Sequence, residues 1–166
     1  MCNNNLLSSN IGYHIEKSFN KNLQTGKFEL FFEYALCFNC QQNLAQEFSK
    51  ETTERIKMYY DLYIDFDKRY EDLTKNNEID INNWISHCIF TKKPITKIDE
   101  YHIGGYCYGN DFVVGALPFA ISWQAINEME SLYSKKTKDI LNGFEALILP
   151  PDIREKVPDG GRVILV

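Results

Sequence analysis

No stretch of this 166-residue sequence is apolar for long enough to cross a membrane, which takes about 20 residues, so no membrane-spanning protein is expected. The opening, "MCNNNLLSSNIGYHIEK", lacks a basic stretch followed by an apolar one, so no secretory leader is expected either. Cysteines number five, an odd count with nothing marking secretion. A disulfide framework is therefore not expected, and reduced thiols in a cytoplasmic setting are. Basic residues are in deficit: 18 Lys and Arg face 23 Asp and Glu, giving a net charge of -5 and a pI near 5.2. Duplex binding draws on neutralised phosphates, so nucleic acid is not expected as a partner, whereas a basic protein surface is. Dinucleotide fingerprint, phosphate loop, nucleophile elbow and EF-hand loop are all missing. No complete catalytic motif is present, which weighs against an enzyme. The excess of Lys over Arg and the abundance of Asn accompany AT-rich genomes, and a bacterial source is expected by that association.

What the chain does have is core-forming material: 44% hydrophobic and 14% aromatic residues. No Gly-, Ser- or Pro-rich linker divides it, so residues 1–166 read as a single domain, with polar residues 1–10 loose. "IGYHIEKSFNKNL" is two-faced. Ile11, Tyr13 and Ile15 alternate as in a strand, while Ile15, Phe19 and Leu23 are spaced as in a helix. A turn at "QTG" precedes an aromatic strand from Phe28 to Leu36. Ser49 caps the strongest element, in which Ile56, Tyr59, Tyr63, Phe66, Tyr70 and Leu73 recur every three or four residues. That stripe predicts one long helix over about 50–74, with Asp65 and Arg69 ion-paired on its surface. Asp80 caps a short segment through Trp84, and residues 101–117 read as a hairpin turning at "YGND". Ser122 and Ser134 cap further helices over about 122–145, and "LIL" and "RVILV" are expected as strands. "FSKETTERI" and "YSKKTKDIL" resemble each other as helix starts, each with an aromatic before the cap. The fold class is α+β: a mostly antiparallel sheet packed on the long helix and the C-terminal helices.

Chemistry centres on "CFNC". Cys37 and Cys40 have the spacing of half a tetrahedral zinc site. The second half is ragged, since His87 and Cys88 are adjacent and His102 and Cys107 are five apart. A redox pair opening a helix, as in thioredoxin-like proteins, and two small buried side chains at a strand end are the other readings. Further back, "HIE" at 14–16 with "CFNC" at 37–40 resembles the signature of zinc-dependent nucleobase deaminases, His-x-Glu followed by Pro-Cys-x-x-Cys. The resemblance covers about residues 13–48, and Leu36 stands where the family has Pro. It implies zinc on His14, Cys37 and Cys40, with Glu16 as the proton shuttle. Separately, Tyr101, Tyr106, Tyr108 and Asp111, around Gly104 and Gly105, make an aromatic segment suited to contact with a partner protein. The expected function is a cytoplasmic protein-binding module of the immunity, antitoxin or inhibitor kind, without a cofactor. The alternative is a zinc protein, structural or deaminase-like.

Overall fold

The computed structural model describes residues 1–8, 10–75 and 79–155. Among them are five strands in one antiparallel sheet and seven helices, an α+β fold. Strand β1 (Gly12–Lys21) is central, hydrogen-bonded to β2 (Phe28–Cys37) on one side and β3 (Glu100–Tyr108) on the other. The short strands β4 (Asp111–Val113) and β5 (Phe119–Ser122) share the far side of β3. The ambiguous "GYHIEK" is thus strand. Gly26, at φ +68°, turns β1 into β2, and Gly109, at φ +55°, turns β3 into β4 within the anticipated "YGND". Both positions lie in the left-handed region that glycine enters without steric cost.

Helix α1 (Phe38–Glu47) follows β2 directly, and α2 (Lys50–Tyr63) begins behind Ser49, whose hydroxyl accepts from the Thr52 amide. The long helix predicted over 50–74 is interrupted. Ile64 is extended (φ -130°, ψ 119°) and buried, and Asp65 caps a new helix, α3 (Phe66–Thr74), by accepting from the Lys68 amide. Periodicity alone missed the break because the apolar spacing continues across it, while "Ile-Asp" supplies a β-branched core residue and then a cap. The predicted Asp65–Arg69 pair does not form either. The Arg69 guanidinium turns inward, donating to the carbonyls of Trp84 (2.6 Å) and Pro118 (3.0 Å) and stacking on the Trp84 ring. Asp65→Ala is expected to cost about 1 kcal/mol by removing the cap. Urea denaturation checks this, and an unchanged midpoint would mean that the cap contributes nothing.

Helix α4 (Ile81–Ile85) is capped by Asp80, and a 3-10 turn (Ile95–Lys97) leads into β3. After β5, Ser122 caps α5 (Trp123–Ser131) and Ser134 caps α6 (Lys135–Ile148). The strand expected at "LIL" is instead the end of α6, whose inward Leu141 and Phe144 carry helical spacing up to the stop at Pro150 and Pro151. A short helix, α7 (Pro151–Arg154), follows, and "RVILV" lies outside the described residues. The core is in two parts. One gathers Ile64, Phe90, Phe119, Ile121, Ile126 and Met129, and the other gathers Phe32, Leu36, Leu44, Phe144 and Leu149.

Candidate functional site

Cys37 is the last residue of β2 and the N-cap of α1, its sulfur accepting from the Cys40 amide at 3.4 Å. The Cys-x-x-Cys pair therefore sits on a strand-to-helix corner with both side chains buried. A third cysteine joins them. Cys2 Sγ lies 3.4 Å from Cys37 Sγ, and the sulfurs of Cys2, Cys37 and Cys40 are all within 4.8 Å of one another. Among the described residues this is the one group in which three metal-ligating side chains converge so closely. Burial pushes the Cys40 thiol up to about 11. A hydrogen bond from the Asn4 backbone, followed by the other two thiols, lowers that of exposed Cys2.

The other sequence-predicted ligands are elsewhere. Cys88 contacts Ser122 and the Thr91 amide, where hydrogen bonds to its sulfur outweigh burial and lower its pKa. His14 pairs with Leu36, one position along from the Tyr13–Cys37 pair, so its side chain points to the opposite face of the sheet. Sequence reasoning missed Cys2 because the polar opening carries no periodicity. The only available signal was a cysteine left over in "MCNNN".

A second cluster runs through the interior. The inward row of β1 is His14, Glu16 and Ser18, all at most 1% exposed. The Glu16 carboxylate accepts from the Tyr34 hydroxyl (2.5 Å) and from His102 Nδ1 (2.7 Å). Gly104 stands across from Glu16, and its missing side chain leaves room for His14, whose Nε2 would lie 3.1 Å from a Cβ there. Burial, reinforced by Glu16, holds the Tyr34 phenol far above its usual value, and burial lowers His14 against the pull of Glu16. Both His14 ring nitrogens, Ser18 Oγ, Tyr60 Oη and His102 Nε2 are buried without a hydrogen-bond partner among the described residues. Interior water is the ordinary partner of such atoms. A carboxylate that orients an imidazole through Nδ1 is the form of a general base. Here the imidazole is 1% exposed, and Glu16, Tyr34 and His102 form a buried polar network.

A cavity of about 360 Å³ opens beside this seam, lined by Phe48, Thr52, Ile56, Lys57, Tyr60 and Tyr133. Burial first, then neighbouring phenols and Glu16, raises Tyr60. Burial, then Glu130 and Glu16, raises Tyr133.

The predicted contact tyrosines separate. Tyr101 is buried, stacked on Phe19 at 5.3 Å between ring centres, and offers no contact area. Tyr106 faces inward against His14 and Phe38. Tyr108 and Asp111 are exposed at the hairpin end, and Phe112 and Val113 join them. Phe112 lies across Gly105, where a Cβ would come within 2.9 Å of its ring. The apolar residues of β4 escaped the sequence reading because a three-residue strand is too short to show alternation.

No family model, no curated protein and no solved structure matches this chain. No helix among the described residues is long and apolar enough to cross a membrane.

Proposed function

We propose that this chain is a protein-binding module of the immunity, antitoxin or inhibitor kind, acting in a bacterial cytoplasm through the end of its β3–β4 hairpin. The observation that carries the reading is the exposure of Tyr108 (46%), Phe112 (41%) and Val113 (36%) at one hairpin end, Tyr108 and Val113 on the face that holds Asp111, and Phe112 on the other. Aromatic residues at a rigid strand end are suited to anchoring a contact, since they lose little conformational freedom on binding. The net charge of -5 favours a basic partner and speeds encounter with it. A deaminase-like hydrolase finds less support. Glu16 is engaged with Tyr34 and His102, and His14 lies on the face of the sheet away from Cys37.

The test is retention of partners from the source cells by the wild-type protein and by Phe112→Asp. A partner held by the wild type is expected to be held at least about tenfold more weakly by the variant, and less by the wild type as salt rises. Equal retention by both proteins, with an unchanged circular dichroism spectrum, would move the contact surface elsewhere. Turnover of a small molecule without any partner would overturn the reading.

A further inference from the structure

We propose that Cys2, Cys37 and Cys40 hold one zinc ion as three thiolate ligands, and that this ion fastens the N-terminal segment to the β2–α1 corner. The inference is independent of the hairpin surface. Its first support is the sulfur geometry. Zinc–thiolate bonds of about 2.3 Å in a tetrahedron place neighbouring sulfurs about 3.8 Å apart. Cys2 and Cys37 are 3.4 Å apart, and all three sulfurs fall within 4.8 Å of one another, so thiol packing and zinc ligation need nearly the same positions. A disulfide would need a pair at about 2.05 Å and would leave the third thiol alone.

The second support is the ligand set. Three cysteines from two separate chain segments converge, and thiolate-rich tetrahedral sites select zinc over the oxygen-preferring cations. Two ligands come from one corner in Cys-x-x-Cys spacing, the third from a segment far away in sequence. Cys37 caps α1, whose first turn holds no acidic residue to compete for a cation. Cys37 also borders a cavity of about 210 Å³ with Asn4, Asn10 and Asn39, which gives a water molecule room to supply the fourth ligand. On ligation each thiol gives its proton to solvent, and the metal–sulfur bond replaces the S–H bond.

The third support is what the site would hold in place. Cys2 is exposed, and Leu6 and Ile11 of the same segment pack against the smaller core cluster that contains Cys37 and Cys40. Polar "MCNNN" has little apolar surface of its own to secure it, and a metal bond at its start offsets the entropy of ordering it.

The experiment uses the full chain, isolated under reducing conditions and dialysed against metal-free buffer. Zinc content is measured beside free thiols, and cobalt is then substituted for zinc. About one zinc per chain is expected, with the intense visible absorption of tetrahedral cobalt–thiolate. Cys2→Ser is the decisive variant, because an exposed residue can be changed without disturbing the core. It is expected to keep the wild-type circular dichroism spectrum, lose at least half of the zinc, and be cleaved by protease near its N-terminus at least about tenfold faster. Wild-type protein without zinc or a cobalt signal overturns the proposal, as does Cys2→Ser with undiminished zinc. A Cys2–Cys37 disulfide found by mass analysis of the reduced preparation overturns it too.

Discussion

Replacing Glu16 with alanine is expected to lower the melting temperature by about 10 °C, the consequence of losing about 3–5 kcal/mol from a domain of this size. Glu16 is 1% exposed and accepts two hydrogen bonds, from Tyr34 at 2.5 Å and His102 at 2.7 Å. Hydrogen bonds to a carboxylate contribute about 1.5–3 kcal/mol each, and their removal strands two buried donors. The alanine also leaves a cavity on the inner face of the central strand, beside His14 and Ser18, whose polar atoms have no hydrogen-bond partner among the described residues. Glu16→Gln separates the two effects. It keeps the volume and one acceptor oxygen, and is expected to lose about half as much. A double-mutant cycle of Glu16→Ala with Tyr34→Phe is expected to show a coupling of about 1–2 kcal/mol, because both substitutions remove the same bond. If Glu16→Ala melted within about 2 °C of the wild type, the network would be replaceable by water and would not define the packing.

That network shows where the sequence was legible and where it was not. The alternation of Ile11, Tyr13 and Ile15 agrees with the strand, but the helical spacing of Ile15, Phe19 and Leu23 leaves the segment undecided. The fully buried row is His14, Glu16 and Ser18, polar residues that no hydrophobic pattern selects. Local signals were read correctly. Ser49, Asp80, Ser122 and Ser134 all cap helices, and the "YGND" turn falls where expected, because caps and turns depend on residues a few positions apart. The failures needed distant information. Arg69 left its predicted partner for carbonyls at Trp84 and Pro118, and Cys2 reached Cys37 across 35 positions. The contact tyrosines divided by their place along β3, which is invisible until its neighbours are known: Tyr101 packs on Phe19 at one end, and Tyr108 is exposed at the other although it shares a face with inward Tyr106.

The likeness of "FSKETTERI" and "YSKKTKDIL" acquires a physical meaning from the same kind of distant contact. The two helix starts face each other. Ser49 donates its amide to Thr137 Oγ1 (3.2 Å), and Ser134 donates its amide to Thr52 Oγ1 (2.8 Å). The two serine hydroxyls are 2.8 Å apart, and the Thr137 hydroxyl donates to that of Thr52 at 3.1 Å. Phe48 and Tyr133, the aromatics before the two caps, line one cavity. Two helix N-termini in contact bring like partial charges together, an unfavourable arrangement that the shared hydroxyl oxygens offset by accepting the free amides. Thr137 is 0% exposed and Thr52 1%, so no water replaces a hydroxyl that is lost. Thr137→Val keeps the shape, strands the Ser49 amide, and is expected to cost about 2–3 kcal/mol. Urea denaturation should show a lower midpoint at an unchanged slope, as a loss of stability without a change of fold requires. Thr52→Val should cost about the same by stranding the Ser134 amide. The double valine variant should lose less than the two single losses added, since the Thr137–Thr52 bond can be removed only once. Simple additivity would show that the two helix starts are stabilised separately, and that their resemblance reflects capping alone.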